Sequence, residues 1–372
     1  MTIEEKMKKL KNVSEQLEKK HKTKMLIKGT DVKKVEFYTT GIPSIDTILN
    51  GGLAKGRISS VYGEYSAGKT TFILQTIAHN MKLDPSFMAL FIDQEASLDI
   101  EYCKELGIDM DRFQIMESDK AEKNLDALRT ILDEGIFNIV VIDSTNALVP
   151  SSELEKDVNA NSSIASVAKL LSVFTRMVLG PLNKTKTHLC CLEQTRDKIG
   201  AVTMVGMPTP QQIGVGKSIG FYASQRLELK RGAPIKEGDN ILGNTTKVKC
   251  VKNKVGKPFA KVEVPMVSGK GFDVEMDNQL FIINSGIVER INNVKWSYTS
   301  NEGEVIEIKG QKNIIPTLKE KGLYDEAFEN AKKKVFANTD TKSEYAGIDL
   351  EEEKNKVIIT DDDLRESEQD LD

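Results

Sequence analysis

The chain has 372 residues, 39% of them hydrophobic and 29% charged, with a net charge of −4. That is an ordinary soluble balance, enough to build one large domain and a small one or two. Four cysteines without a C-x-x-C pair and three scattered histidines argue against a disulfide framework or a cysteine–histidine metal site and for a reducing compartment, and no apolar run approaches the roughly 18 residues that would span a membrane.

The N-terminal stretch is basic, with eight Lys and four Glu in residues 1–24. It lacks a secretory apolar core and the arginines of a transit peptide, so a cytoplasmic protein is expected. Ile3, Met7, Leu10, Val13 and Leu17 recur at helical spacing. A helix this short cannot bury its stripe alone. It folds back on its own domain or docks on a neighbouring subunit, and the spacing does not choose between them.

From about residue 40 the pattern alternates strand and helix. "RISSVY" leads into a glycine-rich loop and "TTFILQTIAHNM" leaves it as a helix. "FMALFIDQE" reads as a buried strand ending in acids, "NLDALRTILDEGIF" as a helix and "NIVVIDS" as the next strand. A helix around 163–182 precedes the strand "THLCCLEQ". Apolar strands separated by helices predict a parallel sheet covered on both faces. From about 217 the segments "SQRLELKRG", "TTKVKCVKNKVG" and "FAKVEVPMV" alternate like antiparallel edge strands. Residues 272–338 read as a small mixed α/β unit. Residues 349–372 carry eleven acids against three bases, a balance of −8, and read as disordered. A basic head and an acidic tail suit a polyanion partner and a segment that competes with it, or solubility alone.

"GEYSAGKTT" fits G-x-x-x-x-G-K-[ST] from Gly63 to Thr70. Backbone N–H groups of Gly63, Glu64, Tyr65, Ser66, Ala67 and Gly68 and the following helix N-terminus would wrap phosphates, with Thr71 in its first turn. Lys69 would add a cation at the terminal phosphates and the Thr70 hydroxyl a ligand for Mg²⁺. Asp143 ends the strand "IVVID", where an acid can hold that magnesium through water. Asp93 and Glu95 end "LFIDQE", and Glu95 is placed to orient or deprotonate an attacking water, although a solvated strand end fits the spacing as well. Residues 195–217 form a long glycine-rich, aperiodic loop rooted at Gln194, which could sense the terminal phosphate and set the loop's order.

Over roughly residues 35–340 the chain resembles the RecA recombinase family of bacterial or phage type. The resemblance is carried by "GIPSIDTILNGGLAKGRISSVYGEYSAGKTT", "FIDQEASLDIEYCKELGID", "VVIDSTNALVP", "EQTRDKIG", "GFYASQRLEL" and "KCVKNKVGKPF", in the family's order. It implies an α/β fold: a RecA-type phosphate-loop ATPase core with a central, mostly parallel sheet flanked by helices, a short N-terminal helix and a small C-terminal α/β domain. The expected division is 1–34 for the oligomerisation helix and linker, 35–270 for the core, 271–338 for the C-terminal domain and 339–372 for the tail.

The resemblance further implies ATP and Mg²⁺ as cofactors, single-stranded and homologous duplex DNA as partners, a helical filament of identical subunits, and single-strand-binding and loading proteins. Glu95 would be the catalytic base. Tyr102 would stack on adenine and Asp99 accept from its exocyclic amine. Gln194 would couple the terminal phosphate to a second DNA loop at 195–217. A first DNA loop would lie near 155–164, ending at Ile164, and the helix after it would present Lys169, Ser172 and Arg176. Arg196, Lys198 and Ile199 would touch single-stranded DNA, and Lys252 and Lys254 would reach the nucleotide of the next subunit.

This chain departs from the family's pattern at Glu193, where Asn is usual, and at Gly220, where a further trans-acting lysine is expected and for which Lys217 could substitute. It departs also in a longer second DNA loop without its usual Phe. These departures mark a divergent member, in keeping with a phage source. A ring-shaped helicase and a non-hydrolysing nucleotide-gated scaffold are the competing readings. The paired Lys252 and Lys254 argue against the first, and Glu95 against the second.

Overall fold

In the computed structural model, residues 1–22, 24–117, 121–151, 164–197, 211–213, 218–238 and 240–340 are described. Residues 1–37 form one unit. Its helix α1 (Ile3–His21) opens on a capping box: Glu5 N donates to the Thr2 hydroxyl, and Thr2 N donates to the Glu5 carboxylate. Acids in the first turn and bases in the last complement the helix dipole. No residue of α1 is buried, and Ile3, Met7, Leu10 and Val13 all face solvent.

Two two-residue strands, β1 (Phe37–Tyr38) and β2 (Leu53–Ala54), precede the main sheet and bracket α2 (Pro43–Leu49). The β-branched and aliphatic runs then become strands β3 (Ile58–Gly63), β4 (Ala89–Asp93), β5 (Phe113–Met116), β6 (Ile139–Asp143) and β7 (His188–Asp197). Amphipathic segments between them become α3 (Lys69–Leu83), α4 (Ile100–Glu105), α5 (Ala121–Glu134) and α6 (Ile164–Thr185). The chain continues through β8 (Gln211–Ile213), α7 (Ser218–Tyr222), β9 (Gln225–Glu237), β10 (Asn240–Asn253), β11 (Lys261–Val267) and β12 (Gly271–Phe272).

The sheet order is β5-β4-β6-β7-β3-β9-β10-β11-β12. All pairs from β5 to β9 are parallel, and those from β9 to β12 antiparallel. The segment beginning "SQRLELKRG" is therefore not purely an edge strand. Gln225–Leu229 add to β3 in parallel, which buries Leu227 and Leu229 at the sheet's centre, before the chain turns into the antiparallel run.

Apolar side chains alternate between two cores, as strand geometry requires. Val61, Leu192 and Leu227 pack against Phe72, Ile73 and Ile77 of α3 on one face. Ile58, Leu189 and Cys191 meet Leu125 and Leu128 of α5, Leu171, Phe174 and Val178 of α6, and Ile219 of α7 on the other.

Residues 195–217 are not wholly loop. Thr195–Asp197 prolong β7 and pair antiparallel with Gln211–Ile213, so the backbone groups that leave the sheet find partners in one another. Residues 198–210 and 214–217 lie outside the described residues, as do 152–163 and 341–372.

Beyond β12, α8 (Val274–Asn284), β13 (Val288–Arg290), β14 (Lys295–Thr299), β15 (Val305–Lys309), α9 (Ile314–Glu320) and α10 (Tyr324–Asp340) surround a separate core of Phe281, Trp296, Tyr298, Ile308, Leu318 and Ala331. This small unit is tied to the larger sheet through α2. Ser44 N donates to the fully buried Asp277 at 3.0 Å.

Candidate active site

Four strand ends converge on one site. Gly63 of β3 pairs with Gln194 of β7, and Asp93 of β4 with Asp143 of β6. In parallel sheets ligands lie at these carboxyl ends.

Local sterics shape the glycine-rich loop at 63–70, the expected phosphate cradle. Gly63 sits at φ 154°, and a Cβ there would lie 1.9 Å from the Leu229 carbonyl oxygen. Gly68 adopts φ 87° as the N-cap of α3, and its Cβ would meet the Met266 sulfur at 2.7 Å. Only glycine allows the chain this close to its neighbours. The loop then delivers Lys69, Thr70 and Thr71 into the first turn of a 15-residue helix, whose dipole favours anions.

Lys69 Nζ donates to the carbonyls of Gly63 at 3.1 Å and Glu64 at 2.7 Å. Burial pulls its pKa below the usual lysine value, while Asp143, Glu95 and Glu64 oppose the shift. Thr70 Oγ1 donates to Asp143 Oδ2 at 2.8 Å. Burial raises the Asp143 carboxyl to about 6 against that hydrogen bond. A hydroxyl and a carboxylate paired beside an anion cradle are hard oxygen donors of the kind magnesium takes.

Glu95 lies two residues beyond β4. Its N–H is held at 3.1 Å by Asp93 Oδ1, while Asp93 Oδ2 accepts from Ser97 N at 3.0 Å and Leu98 N at 2.9 Å. Gln194 Nε2 donates to the Glu95 carboxylate, and the Tyr65 hydroxyl reaches Gln194 Oε1 at 3.4 Å. Asn146 exchanges hydrogen bonds with the Gln194 backbone, accepting from N at 3.1 Å and donating to O at 3.4 Å. The structural parts played by Asp93 and Asn146 were not singled out from the sequence. Their signal was faint: an Asp at a strand end and an Asn three residues after Asp143.

Asp99 caps α4, accepting from Glu101 N at 2.9 Å and Tyr102 N at 3.1 Å. Tyr102 packs against the core and its hydroxyl stands 3.2 Å from Thr71 Oγ1 in the first turn of α3, while Asp99 is joined to it through the Tyr102 N–H.

The remaining expected residues fall elsewhere. Lys169 and Arg176 are exposed on α6 with Ser172 between them, opposite the buried Leu171, Phe174 and Val178. Ile164 begins α6 and Arg196 lies on β7, both placed by backbone only, and Lys198 and Ile199 lie outside the described residues. Lys252 and Lys254 converge on the C-terminal carbonyls of α7. Lys252 Nζ donates to Gly220 O at 2.7 Å and Phe221 O at 2.9 Å, and Lys254 Nζ to Phe221 O at 3.4 Å.

Comparison with known proteins gives this arrangement its family. Residues 8–273 match the RecA N-terminal domain. The chain belongs to the RecA family. It is similar to the RecA proteins of Thermotoga maritima (36% identity over 293 residues, 78% of this chain and 80% of the relative), Petrotoga mobilis (34% over 316 residues, 84% of each) and Campylobacter fetus (34% over 324 residues, 87% and 90%). It is thus a RecA-type recombinase, a DNA-dependent ATPase of DNA recombination and repair, and a nucleotide-binding protein. Among the described residues no helix is long and apolar enough to cross a membrane.

Proposed function

We propose that this RecA-type protein forms a helical filament on single-stranded DNA, hydrolyses ATP with magnesium at a site shared between neighbouring subunits, and pairs the bound strand with homologous duplex in the cytoplasm. The observation that supports this reading is the convergence of Lys69, the Thr70–Asp143 pair and the Gln194–Glu95 pair at four adjacent strand ends.

The residues fit the nucleotide and the ion: a glycine cradle that a Cβ would close, a lysine at its base, and paired hard oxygen donors. Bound magnesium would neutralise charge on the transferring phosphoryl group. Lys69 would leave the loop carbonyls for the terminal phosphates. Glu95 would take a proton from the attacking water, held in aim by Asp93's grip on its backbone. Gln194 would exchange Glu95 for the terminal phosphate and pass the change to the loop that follows β7. Tyr102 and Asp99 would hold the base. Lys169, Ser172 and Arg176 on α6, with Ile164, Arg196, Lys198 and Ile199, would grip the strand, and Lys252 and Lys254 would reach the neighbour's nucleotide.

The proposed division of labour assigns residues 1–34 to oligomerisation, 35–270 to hydrolysis and DNA binding, 271–338 to a C-terminal domain and 339–372 to an acidic tail. Electron microscopy with single-stranded DNA and a slowly hydrolysed ATP analogue tests the assembly. Helical filaments, together with ATP hydrolysis stimulated by that DNA, are the expected result. Closed rings that unwind duplex would replace the reading with a helicase.

A further inference from the structure

Glu193 and Gln194 are consecutive on β7, so their side chains leave opposite faces of the sheet. Gln194 meets Glu95 on the nucleotide side. Glu193 points to the face shared with α7 and is 1% exposed. Its Oε2 accepts from the Ser60 hydroxyl and lies 3.8 Å from Arg226 Nη2, and its Oε1 has no hydrogen-bond partner among the described residues. Arg226 Nε also donates to Ser60 Oγ at 3.4 Å, and its guanidinium lies 4.8 Å from the Tyr62 ring centroid. Burial raises the Glu193 carboxyl, with Ser60 and Arg226 drawing it back.

The guanidinium also occupies space that α7 leaves open. A Cβ at Gly220 would stand 2.7 Å from Arg226 Nη1 and 3.1 Å from Cζ. The carbonyls of that same glycine and of Phe221 hold Lys252 and Lys254. Contact is therefore continuous from Glu95 through Gln194, the β7 backbone, Glu193, Arg226 and α7 to the two lysines. A buried carboxylate this sparsely satisfied stabilises little by itself. What it supplies is a fixed position: enclosed by protein and only 1% exposed, it passes a displacement of β7 to its cationic partner.

We propose that Glu193 and Arg226 are a positioning pair that couples the contact made by Gln194 in one subunit's nucleotide site to the placement of Lys252 and Lys254, which serve the next subunit's site. The proposal rests on the roles given above to Gln194 and the two lysines. When Gln194 releases Glu95, β7 shifts, Arg226 follows Glu193 beneath Gly220, and α7 loosens its carbonyls from the lysines. The nucleotide state of one subunit thereby sets the competence of its neighbour's site, and hydrolysis responds steeply to ATP.

The test uses the full-length chain with Glu193→Gln, Gly220→Ala and the neutral double variant Glu193→Gln/Arg226→Gln. Four quantities are measured: thermal unfolding midpoint, affinity of the DNA-free chain for a fluorescent ATP analogue, steepness of DNA-stimulated hydrolysis against ATP, and amide exchange of residues 218–222 with and without a non-hydrolysable analogue. Glu193→Gln should bind the analogue within about twofold of the parent, while half-saturating ATP on DNA rises about fivefold or more, the scale of ordinary site-to-site coupling. The Hill coefficient should fall toward one and the nucleotide-dependent exchange change at 218–222 should vanish.

Gly220→Ala favours the helix and keeps every charge, so it should fold normally. It should nonetheless lose the steep response by crowding Arg226. The double variant should regain the unfolding midpoint without regaining steepness. The proposal is overturned if Glu193→Gln keeps the steep response and the exchange change, or if the double variant recovers steepness together with stability. Lys252→Ala/Lys254→Ala, measured alongside, separates the two levels. If that variant is itself steep, the shared-site reading falls and takes the relay with it. If it is inactive while Glu193→Gln and Gly220→Ala stay steep, only the relay falls.

Discussion

At the scale of single residues, the proposed mechanism divides charge between groups that would bind phosphate and a group that would move a proton. Lys69 is half-withdrawn from solvent, and its ammonium rests on two loop carbonyls until an anion competes for it. Lys69→Ala removes the ammonium those carbonyls hold, which is the only side-chain cation of the loop at 63–70. Hydrolysis should be undetectable and nucleotide affinity strongly reduced, as read by calorimetry. Glu95→Gln tests the proposed proton-transfer role alone, because the amide keeps the volume and can still meet Gln194. Nucleotide binding should persist while turnover drops by about 10²-fold or more, the usual scale for a lost general base. Turnover near the parent's would show that another group takes the proton.

At the scale of elements, α2 and α6 carry separate consequences. Asp46 of α2 accepts hydrogen bonds from Thr39 Oγ1 and, at 2.7 Å, from Thr40 N, yet burial raises its pKa from 3.8 to about 6. Between those values the folded chain keeps a proton that the unfolded chain has lost. Ionised Asp46 is therefore a penalty on folding, fully present above about pH 6 and relieved as pH falls toward 4. Urea unfolding of the parent and Asp46→Asn across pH 4.5–7 should show the parent gaining stability on the variant as the pH falls. Parallel curves would mean that Asp46 does not titrate there. On α6, Lys169 and Arg176 lie seven residues apart on the exposed side, about two turns. Replacing either by Ala should weaken single-strand binding and lower the salt slope by roughly one unit or less per lost phosphate contact. An unchanged slope would remove α6 from the DNA surface.

These elements also show what the sequence made legible. Strands of the parallel sheet were readable because burial on both faces leaves continuous apolar runs such as "NIVVID". The glycine-rich loop at 63–70 was readable because a Cβ at Gly63 would strike the Leu229 carbonyl and Gly68 adopts a φ of 87° that favours glycine. Tertiary partners of polar side chains were not. Nothing in the spacing of Ser60, Glu193, Gly220 and Arg226 reveals that they meet, since sheet order brings β3, β7 and β9 together from positions far apart in the chain. The parallel start of β9 was likewise hidden, because strand alternation reports which face is buried and not the direction of the neighbour.

At the scale of the whole molecule, the question is whether a subunit completes its own active site. Lys252 and Lys254 sit on one strand two residues apart, and both ammonium groups end on the Phe221 carbonyl. Two like charges gathered this closely repel each other, and Lys254 joins burial in pulling Lys252 below the usual lysine pKa. An anion that approached the pair would relieve both effects. If that anion is the neighbour's terminal phosphate, nucleotide binding and subunit association must strengthen each other, since only the assembled pair buries the charge. Mixing two inactive variants tests this directly. Lys69→Ala subunits lack a competent phosphate loop but keep the lysine pair, and Lys252→Ala/Lys254→Ala subunits have the reverse. Where a Lys69→Ala subunit faces the nucleotide of a double-lysine variant in a mixed filament, every group is present. Co-assembly on single-stranded DNA should restore part of the ATPase activity that neither variant shows alone, with a maximum at intermediate mixing ratios. Energy transfer between dyes on the two variants establishes that they share filaments. Shared filaments without recovered hydrolysis at any ratio would confine the active site to a single subunit and return the lysine pair to a structural role at the end of α7.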